Sequence, residues 1–194
     1  ARKDERPLNY RTVEVISNAL ERAIGLVDLL KDNDSGDLDY ALSATLNTTD
    51  GTPGARNGTR NLANDSGAVS LKTTFAPTSN VRLTGVLRYA RTDAEFNDSD
   101  SDPASPTFGF QVDSPGNRFE NEAIYALVRG ELNLLDDHWT HALSAQIADT
   151  RRDGFVSTGR SYGSEGQRLK GSYDTTLRIE AGGLTHRVTA ALDV

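Results

Sequence analysis

Apolar and polar residues alternate along most of the chain after residue 36. Successive side chains of a strand point to opposite faces of a sheet, so each alternating segment predicts a strand with one apolar and one polar face. Residues 121–132 and 184–194 follow the pattern less regularly, which gives about seven strands. The apolar positions of the five clear segments are Leu38, Tyr40, Leu42, Ala44 and Leu46; Val69, Leu71, Thr73 and Phe75; Val81, Leu83, Gly85, Leu87 and Tyr89; Trp139, His141, Leu143, Ala145 and Ile147; and Leu169, Gly171, Tyr173, Thr175, Leu177 and Ile179.

The connections between these segments alternate between long polar stretches and short turns. Such sorting is typical of an outer-membrane β-barrel, which has short turns on the periplasmic side and longer loops outside. Several strands last about 10 residues, the length that a tilted strand needs to cross a bilayer. The sequence therefore predicts an all-β fold: an antiparallel up-and-down meander that is part of a transmembrane barrel wall. The long connections are 50–67, 92–120 and 150–167, and the short ones are 77–80, 133–137 and 181–183.

The first 35 residues have a different pattern. Between residues 11 and 31 apolar side chains recur at three- and four-residue spacing, which predicts one amphipathic α-helix before the sheet. The simplest interpretation is a helix that buries one face against whatever follows, while a partner-binding, plug-side or added segment is also compatible. The predicted organisation is thus an N-terminal helical segment, 1–35, followed by a β-meander, 36–194.

The composition of the chain excludes several classes of function. Only 36% of the 194 residues are hydrophobic, which suits strands that have one polar face. The chain lacks cysteine, so disulfides and thiolate sites are excluded. A net charge of −7, with no basic stripe interleaved with aromatics, argues against a nucleic-acid partner. No nucleophile, base and orienting residue form a recognisable catalytic set, so we do not expect an enzyme.

Three runs of sequence carry a resemblance to a known family: DSGDLDYALSATLNTTDG, SLKTTFAPTSNVRLTGVLRYARTDAEF and LVRGELNLLDDHWTHALSAQIADTRRDGF. They resemble early barrel strands of TonB-dependent outer-membrane receptors, and the resemblance covers about residues 36–194. It implies a barrel of about 22 strands with an internal plug domain. It also implies location in the cell outer membrane, contact with outer-membrane lipid, and uptake of a scarce small-molecule ligand such as a siderophore or cobalamin. The TonB energy-coupling protein acts through the plug in this family, and no plug is recognisable here, so the expected identity is a portion of a longer receptor.

Candidate metal chemistry is confined to one acidic stretch. Asp98, Asp100 and Asp102, within the longest connection, offer the hard oxygen ligands that calcium prefers, although their spacing is not that of an EF-hand loop. A solvated acidic loop is the alternative. The segment 92–118 is rich in carboxylates and prolines, which predicts irregular structure without a helix. His138 and His141 point to opposite faces in a strand, so they do not predict a shared metal.

Two further sets of residues fit a membrane wall. Aromatic residues fall near strand ends, as in the interfacial girdles of barrels, and polar-face charges are expected to line the lumen. Two alternatives remain: a soluble or secreted adhesin-like binding module with a sandwich core, and a non-native arrangement of barrel strands covered by an added helix. The aromatic set is Tyr40, Phe75, Trp139, Tyr89 and Phe119, and the polar-face charges are Lys72, Arg82, Arg88, Arg129, Glu131, Lys170, Asp174, Arg178 and Glu180.

Overall fold

A computed structural model of the protein describes residues 37–194, and within that range the chain is all-β. The predicted N-terminal helix lies outside the described residues. The strands are β1 (Asp37–Thr49), β2 (Asn64–Thr78), β3 (Val81–Glu95), β4 (Asp98–Ser99), β5 (Gln111–Val112), β6 (Arg118–Leu134), β7 (Trp139–Val156), β8 (Gly159–Ala181) and β9 (Leu184–Asp193).

Seven of these strands form one antiparallel sheet. Its order is β1-β2-β3-β6-β7-β8-β9, so neighbours in space are neighbours in the chain once the small β4-β5 hairpin is set aside. This is the predicted up-and-down meander. The described sheet is open, with β1 and β9 as its edges.

The register places the alternating apolar positions of neighbouring strands opposite each other. Leu143 of β7 faces Tyr173 of β8, and Ile147 faces Leu169. The prediction that the apolar set of β8 shares a face with these β7 residues is confirmed. One such row runs across the whole sheet: Leu38, Phe75, Leu83, Gly130, Leu143, Tyr173 and Leu192.

The three short turns step progressively away from that row. They lie at 79–80, 135–138 and 182–183, close to the predicted positions. Counted along the strands, their centres are about 3.5, 6.5 and 9.5 residues from the row. Three residues span about 10 Å along a strand, and two strand spacings cover about 9.6 Å across the sheet. A line through the turns therefore crosses the hydrogen-bond direction at about 45°.

The long connections are shorter than predicted, and one is not a loop. Residues 50–63 and 96–117 remain connections, but the predicted loop 150–167 is mostly paired strand. β7 and β8 continue to a turn at 157–158, and Arg151 pairs with Glu165 on the way. The polar composition of this segment suggested a loop, yet backbone hydrogen bonds can extend a hairpin without any apolar face.

The connection 96–117 is irregular, as predicted, and contains no helix. It holds the short β4-β5 hairpin and several turns closed by backbone hydrogen bonds, among them Asp100 N to Phe110 O at 2.9 Å. Its ends are joined where Phe96 N donates to Asn117 O at 3.2 Å.

Candidate functional site

The first candidate functional surface is one complete face of the seven-stranded sheet, here called the apolar face. Every strand presents its predicted apolar positions on this side, because the register holds them opposite one another. The less regular strands β6 and β9 contribute as well. Their residues on this face are Ile124, Ala126, Val128, Gly130, Leu132 and Leu134, and Leu184, His186, Val188, Ala190 and Leu192.

Much of the apolar face is exposed. Val128 is 63% exposed, Leu143 65% and Leu169 76%. On β2, by contrast, Val69 and Leu71 are buried, and Leu71 packs against its neighbours on β1 and β3. Among residues 37–194 no large side chain is fully buried, so this part of the chain is a single sheet without an enclosed core. An exposed apolar surface of this kind marks a site that contacts lipid or another apolar partner.

Aromatic side chains lie at both ends of the apolar face. Trp139 stands at the short-turn end, where its Nε1 donates a hydrogen bond to Thr175 Oγ1 at 2.9 Å. Tyr89 stands at the other end and donates from its hydroxyl to Glu122 Oε1 at 3.2 Å. Tyr40 and Phe75 share the face, but Phe119 does not: it pairs with Ala94 on the opposite face. The residues of β6 on the apolar face have even numbers, and Phe119 has an odd one. The prediction that Phe119 belongs to an aromatic girdle on the apolar face is therefore wrong.

Beyond Tyr89, on the same side of the sheet, apolar residues give way to charged ones. We call this set the charged belt. Arg91 binds Glu120 at 3.1 Å, and Asp153 accepts from Arg151 Nε and from Arg160 Nε, each at 2.8 Å. The hydrogen bond from Arg160 lowers the pKa of Asp153, with Arg151 adding to the effect and desolvation opposing it. The change of chemistry within continuous strands defines one boundary of the apolar face.

The opposite face, here called the polar face, carries small, polar and charged side chains. Arg129 Nε donates to Glu131 at 3.0 Å, and its Nη1 reaches Asp174 at 3.3 Å. Ser144 and Ser172 share a hydrogen bond of 2.6 Å across β7 and β8. The pair of Arg129 and Asp174 is a predicted cross-strand charge pair, and it reaches from β6 to β8 over the intervening β7.

A partly buried arginine joins the two remaining long connections. Nη1 of Arg60 donates to Phe96 O and Asn97 Oδ1, each at 3.0 Å, while Nη2 donates to Asn117 O at 3.2 Å. The same guanidinium lies 3.6 Å from Glu95. The Arg60 backbone is held as well, because Asp113 Oδ2 accepts from its N–H at 3.1 Å. The sequence offered no signal for this anchor, which sits in a Gly/Asn-rich stretch.

The three proposed calcium ligands are engaged in local hydrogen bonds. Asp98 accepts from Ser99 N, Asp100 accepts from Asp102 N and Thr107 Oγ1, and Asp102 accepts from Ala104 N. The hydrogen bonds from Ser105 and Thr107 lower the pKa of Asp100. Within 37–194 no group of three or more histidine or acidic side chains is arranged to hold a metal ion. Calcium binding stays a prediction, which calcium titration followed by hydrogen exchange can test.

The two strand-proximal histidines have separate environments. His138 lies in the turn, with Nδ1 2.9 Å from Leu135 O. His141 lies on the apolar face, with Nδ1 2.7 Å from the Tyr173 hydroxyl and its ring 4.4 Å from that of Trp139. His138 therefore has a role in the turn, and His141 packs against side chains of the apolar face.

Of the described residues, none belongs to a helix long and apolar enough to cross a membrane.

Comparison with protein-family models, with curated proteins and with solved structures gave no match to this chain. The functional argument therefore depends on the sheet and its two faces.

Proposed function

We propose that residues 37–194 form part of the wall of a transmembrane β-barrel in a cell outer membrane. The observation that carries this proposal is the apolar face, which is continuous over seven strands and exposed on β6–β9. Lipid is the partner that such a surface fits, since every strand presents apolar side chains to the same side. On β6 the apolar run Ile124–Leu134, and on β8 the run Leu169–Ile179, have the length of about 9–11 residues that a tilted strand needs.

The stagger of the turns supports the same conclusion. In a barrel the strands tilt by about 35–45° from the axis, and the tilt is expressed as a stagger of the register. If the three short turns lie level at one membrane surface, the observed stagger corresponds to a tilt of about 45°. A sheet of a soluble sandwich has no need for its turns to form such a line.

The sorted connections fit an orientation in the membrane. Three of the four short turns are at one end, and both loops and the extended β7-β8 hairpin, with its two-residue turn at 157–158, are at the other. In this orientation these three short turns face the periplasm, while the charged belt and the Arg60 anchor stand outside the bilayer. The open edges β1 and β9 require further strands for a closed barrel, since unpaired edges are an aggregation hazard.

Within this architecture we propose a specific function, as part of a TonB-dependent transporter that takes up a scarce nutrient such as a siderophore or cobalamin. The support is the family resemblance of the sequence together with the meander and its sorted connections. The polar face then lines the lumen, and the long connections contribute to ligand capture outside. Energy coupling by TonB belongs to a plug that is not among the described residues.

The lone tryptophan gives a direct test. Trp139 is on the apolar face near the short-turn end and is 38% exposed. We expect lipids brominated along the acyl chain to quench its fluorescence after the chain is folded into vesicles, and the chain to require detergent or lipid for solubility. A monomer that unfolds cooperatively in plain buffer, with no quenching by brominated lipid, would contradict the proposal and favour the soluble binding module.

A further inference from the structure

The polar face is not uniformly charged. On its long-connection half five basic residues occur, and among the described residues of β1–β3 and β6–β8 no acidic one shares that half of the face. One of the five, Lys170, lies 3.0 Å from Asp193 of β9. We call the other four the basic patch: Lys72, Arg88, Arg152 and Arg168. Arg152 rests on the Phe119 ring, with 5.0 Å between the guanidinium carbon and the ring centre. No ion pair engages Lys72, Arg88 or Arg168 within 37–194.

The other half of the polar face is compensated by its own residues. Arg129 is paired with Glu131 and Asp174, and Arg178 is paired with Glu180. Arg82 has no ion pair within 37–194 but stands directly opposite Glu131 in the register. Arg187 of β9, opposite Arg178, also has no ion pair within 37–194. The acidic side chains of the polar face in 37–194 are nevertheless all on this half, so no described carboxylate compensates the basic patch.

Charge is also sorted between the two faces. At the level of the basic patch and beyond it, the opposite side holds the charged belt, in which carboxylates outnumber basic groups. Its acidic members are Asp65, Asp93, Glu95, Glu120, Glu122, Asp149, Asp153 and Glu165, and its basic members are Arg91, Arg118, Arg151 and Arg160. In a chain with a net charge of −7, the basic patch is thus a local feature of one face and not a consequence of composition.

The register sets the size of the patch. Arg88, Tyr125, Ala148 and Arg168 form one row across β3, β6, β7 and β8. Three strand spacings separate the two arginines, which is about 14 Å. Between them the Tyr125 hydroxyl donates to Gln146 Oε1 at 3.3 Å, so neutral polar groups fill the centre. Two arginines on one row, with neutral groups between them, can be engaged together by a solute that carries several anionic groups.

We propose that the basic patch binds a small, multiply anionic solute, one that carries two or more carboxylate or phosphate groups. Arginine suits this role because its planar fork donates two parallel hydrogen bonds to a carboxylate or phosphate. The inference rests on the proposed barrel, in which the polar face lines the lumen and the basic patch lies on its outer side. It narrows the transported nutrient to an anionic class.

Isothermal titration of the full chain, folded in a zwitterionic detergent, tests the proposal with citrate, pyrophosphate and butyrate as probes. We expect citrate and pyrophosphate to bind more tightly than butyrate, with affinities that fall as salt is raised. Arg88→Gln combined with Arg168→Gln should weaken citrate binding at least about tenfold, since each substitution removes charge-assisted hydrogen bonds. Arg82→Gln combined with Arg187→Gln is the matched control, because it removes two exposed polar-face arginines from the other half.

Several results would overturn the inference. They are equal affinity for butyrate and citrate in the unmodified chain, equal losses in the two double variants, or binding of a polyglutamate peptide but of neither small polyanion, which would indicate a protein occupant. The probe series on the unmodified chain decides the matter even if a variant does not fold. A chain that inserts into vesicles, with Trp139 quenched by brominated lipid, but fails to bind the polyanions would refute only this inference and leave the proposed barrel intact.

Discussion

Ile147 of β7 lies directly opposite Leu169 of β8, and both side chains are on the apolar face. Both side chains are partly exposed, Ile147 by 36% and Leu169 by 76%. Two aliphatic side chains on neighbouring strands of a water-soluble sheet would be expected to contact a second layer. Their exposure, repeated from β6 to β9, is why we assign this face to lipid.

A charge on the apolar face should destabilise the membrane-inserted protein far more than a charge on the adjacent residue. Val128 is on the apolar face, and Leu127 precedes it on the polar face. We expect Val128→Lys to reduce the free energy of folding into vesicles by about 2–4 kcal/mol, the cost of a lysine near the bilayer midplane. Leu127→Lys is the control and should cost less, since its side chain points to the polar side. Equal costs in urea titrations would argue against a lipid-facing Val128.

The register can be checked by disulfide formation, because the chain has no cysteine of its own. Ser144 and Ser172 are partners across β7 and β8, and their hydroxyl oxygens are 2.6 Å apart. We expect Ser144→Cys combined with Ser172→Cys to form a disulfide under mild oxidation, since directly opposite residues have the separation that the bond needs. The shift between reduced and non-reduced gels measures it. Ser144→Cys combined with Gly171→Cys should not cross-link, and a cross-link there would mean a register slipped by one residue.

Replacement of the partly buried Arg60 should release the two long connections from each other. Arg60→Lys removes the fork that donates to Phe96, Asn97 and Asn117. We expect a loss of about 2–3 kcal/mol, since hydrogen bonds from a charged group are involved and their acceptors lose their partner. Faster hydrogen exchange in 50–63 and 96–117 would show that the two connections have lost this stabilisation. Arg56→Lys is the control, because Arg56 only stacks on Phe110 at 4.7 Å, and similar exchange in both variants would contradict the anchor role.

The backbone hydrogen bonds of the extended β7-β8 hairpin should become less stable in acid. The hydrogen bonds from Arg160 and Arg151 lower the pKa of Asp153, so its folded value lies below the ordinary value of about 3.9. Its stabilising effect is therefore present above that ordinary value, and it is lost as the pH falls through the folded pKa. We expect amide exchange across 151–165 to accelerate in that window, after correction for the intrinsic rate.

Asp153→Asn provides the comparison for this pH dependence. The variant should exchange faster than the unmodified chain at neutral pH, because the amide cannot pair with two guanidinium groups, and its exchange should change little in acid. If the two proteins show the same pH dependence, Asp153 does not control the hairpin.

The local sequence pattern predicted the seven main strands, their order and the face that most of their residues take. Alternation with a period of two is a local property, so Leu143 and Tyr173 could be placed on one face before their contact was known. The polar composition of residues 150–167 led to the prediction of a loop, whereas most of this segment is a paired hairpin without an apolar face, around Arg151 and Glu165. Loop and strand look alike there, because only backbone hydrogen bonds distinguish them.

Contacts between residues far apart in the chain became known from the three-dimensional arrangement alone. Arg60 binds groups at positions 96, 97 and 117, contacts that depend on how two connections fold over each other and leave no periodic trace. The 45° line of the turns and the separation of the basic patch from the charged belt likewise required the register. Register is set jointly by turn geometry and by the pairing of whole strands, whereas sequence alternation fixes only the face of each residue.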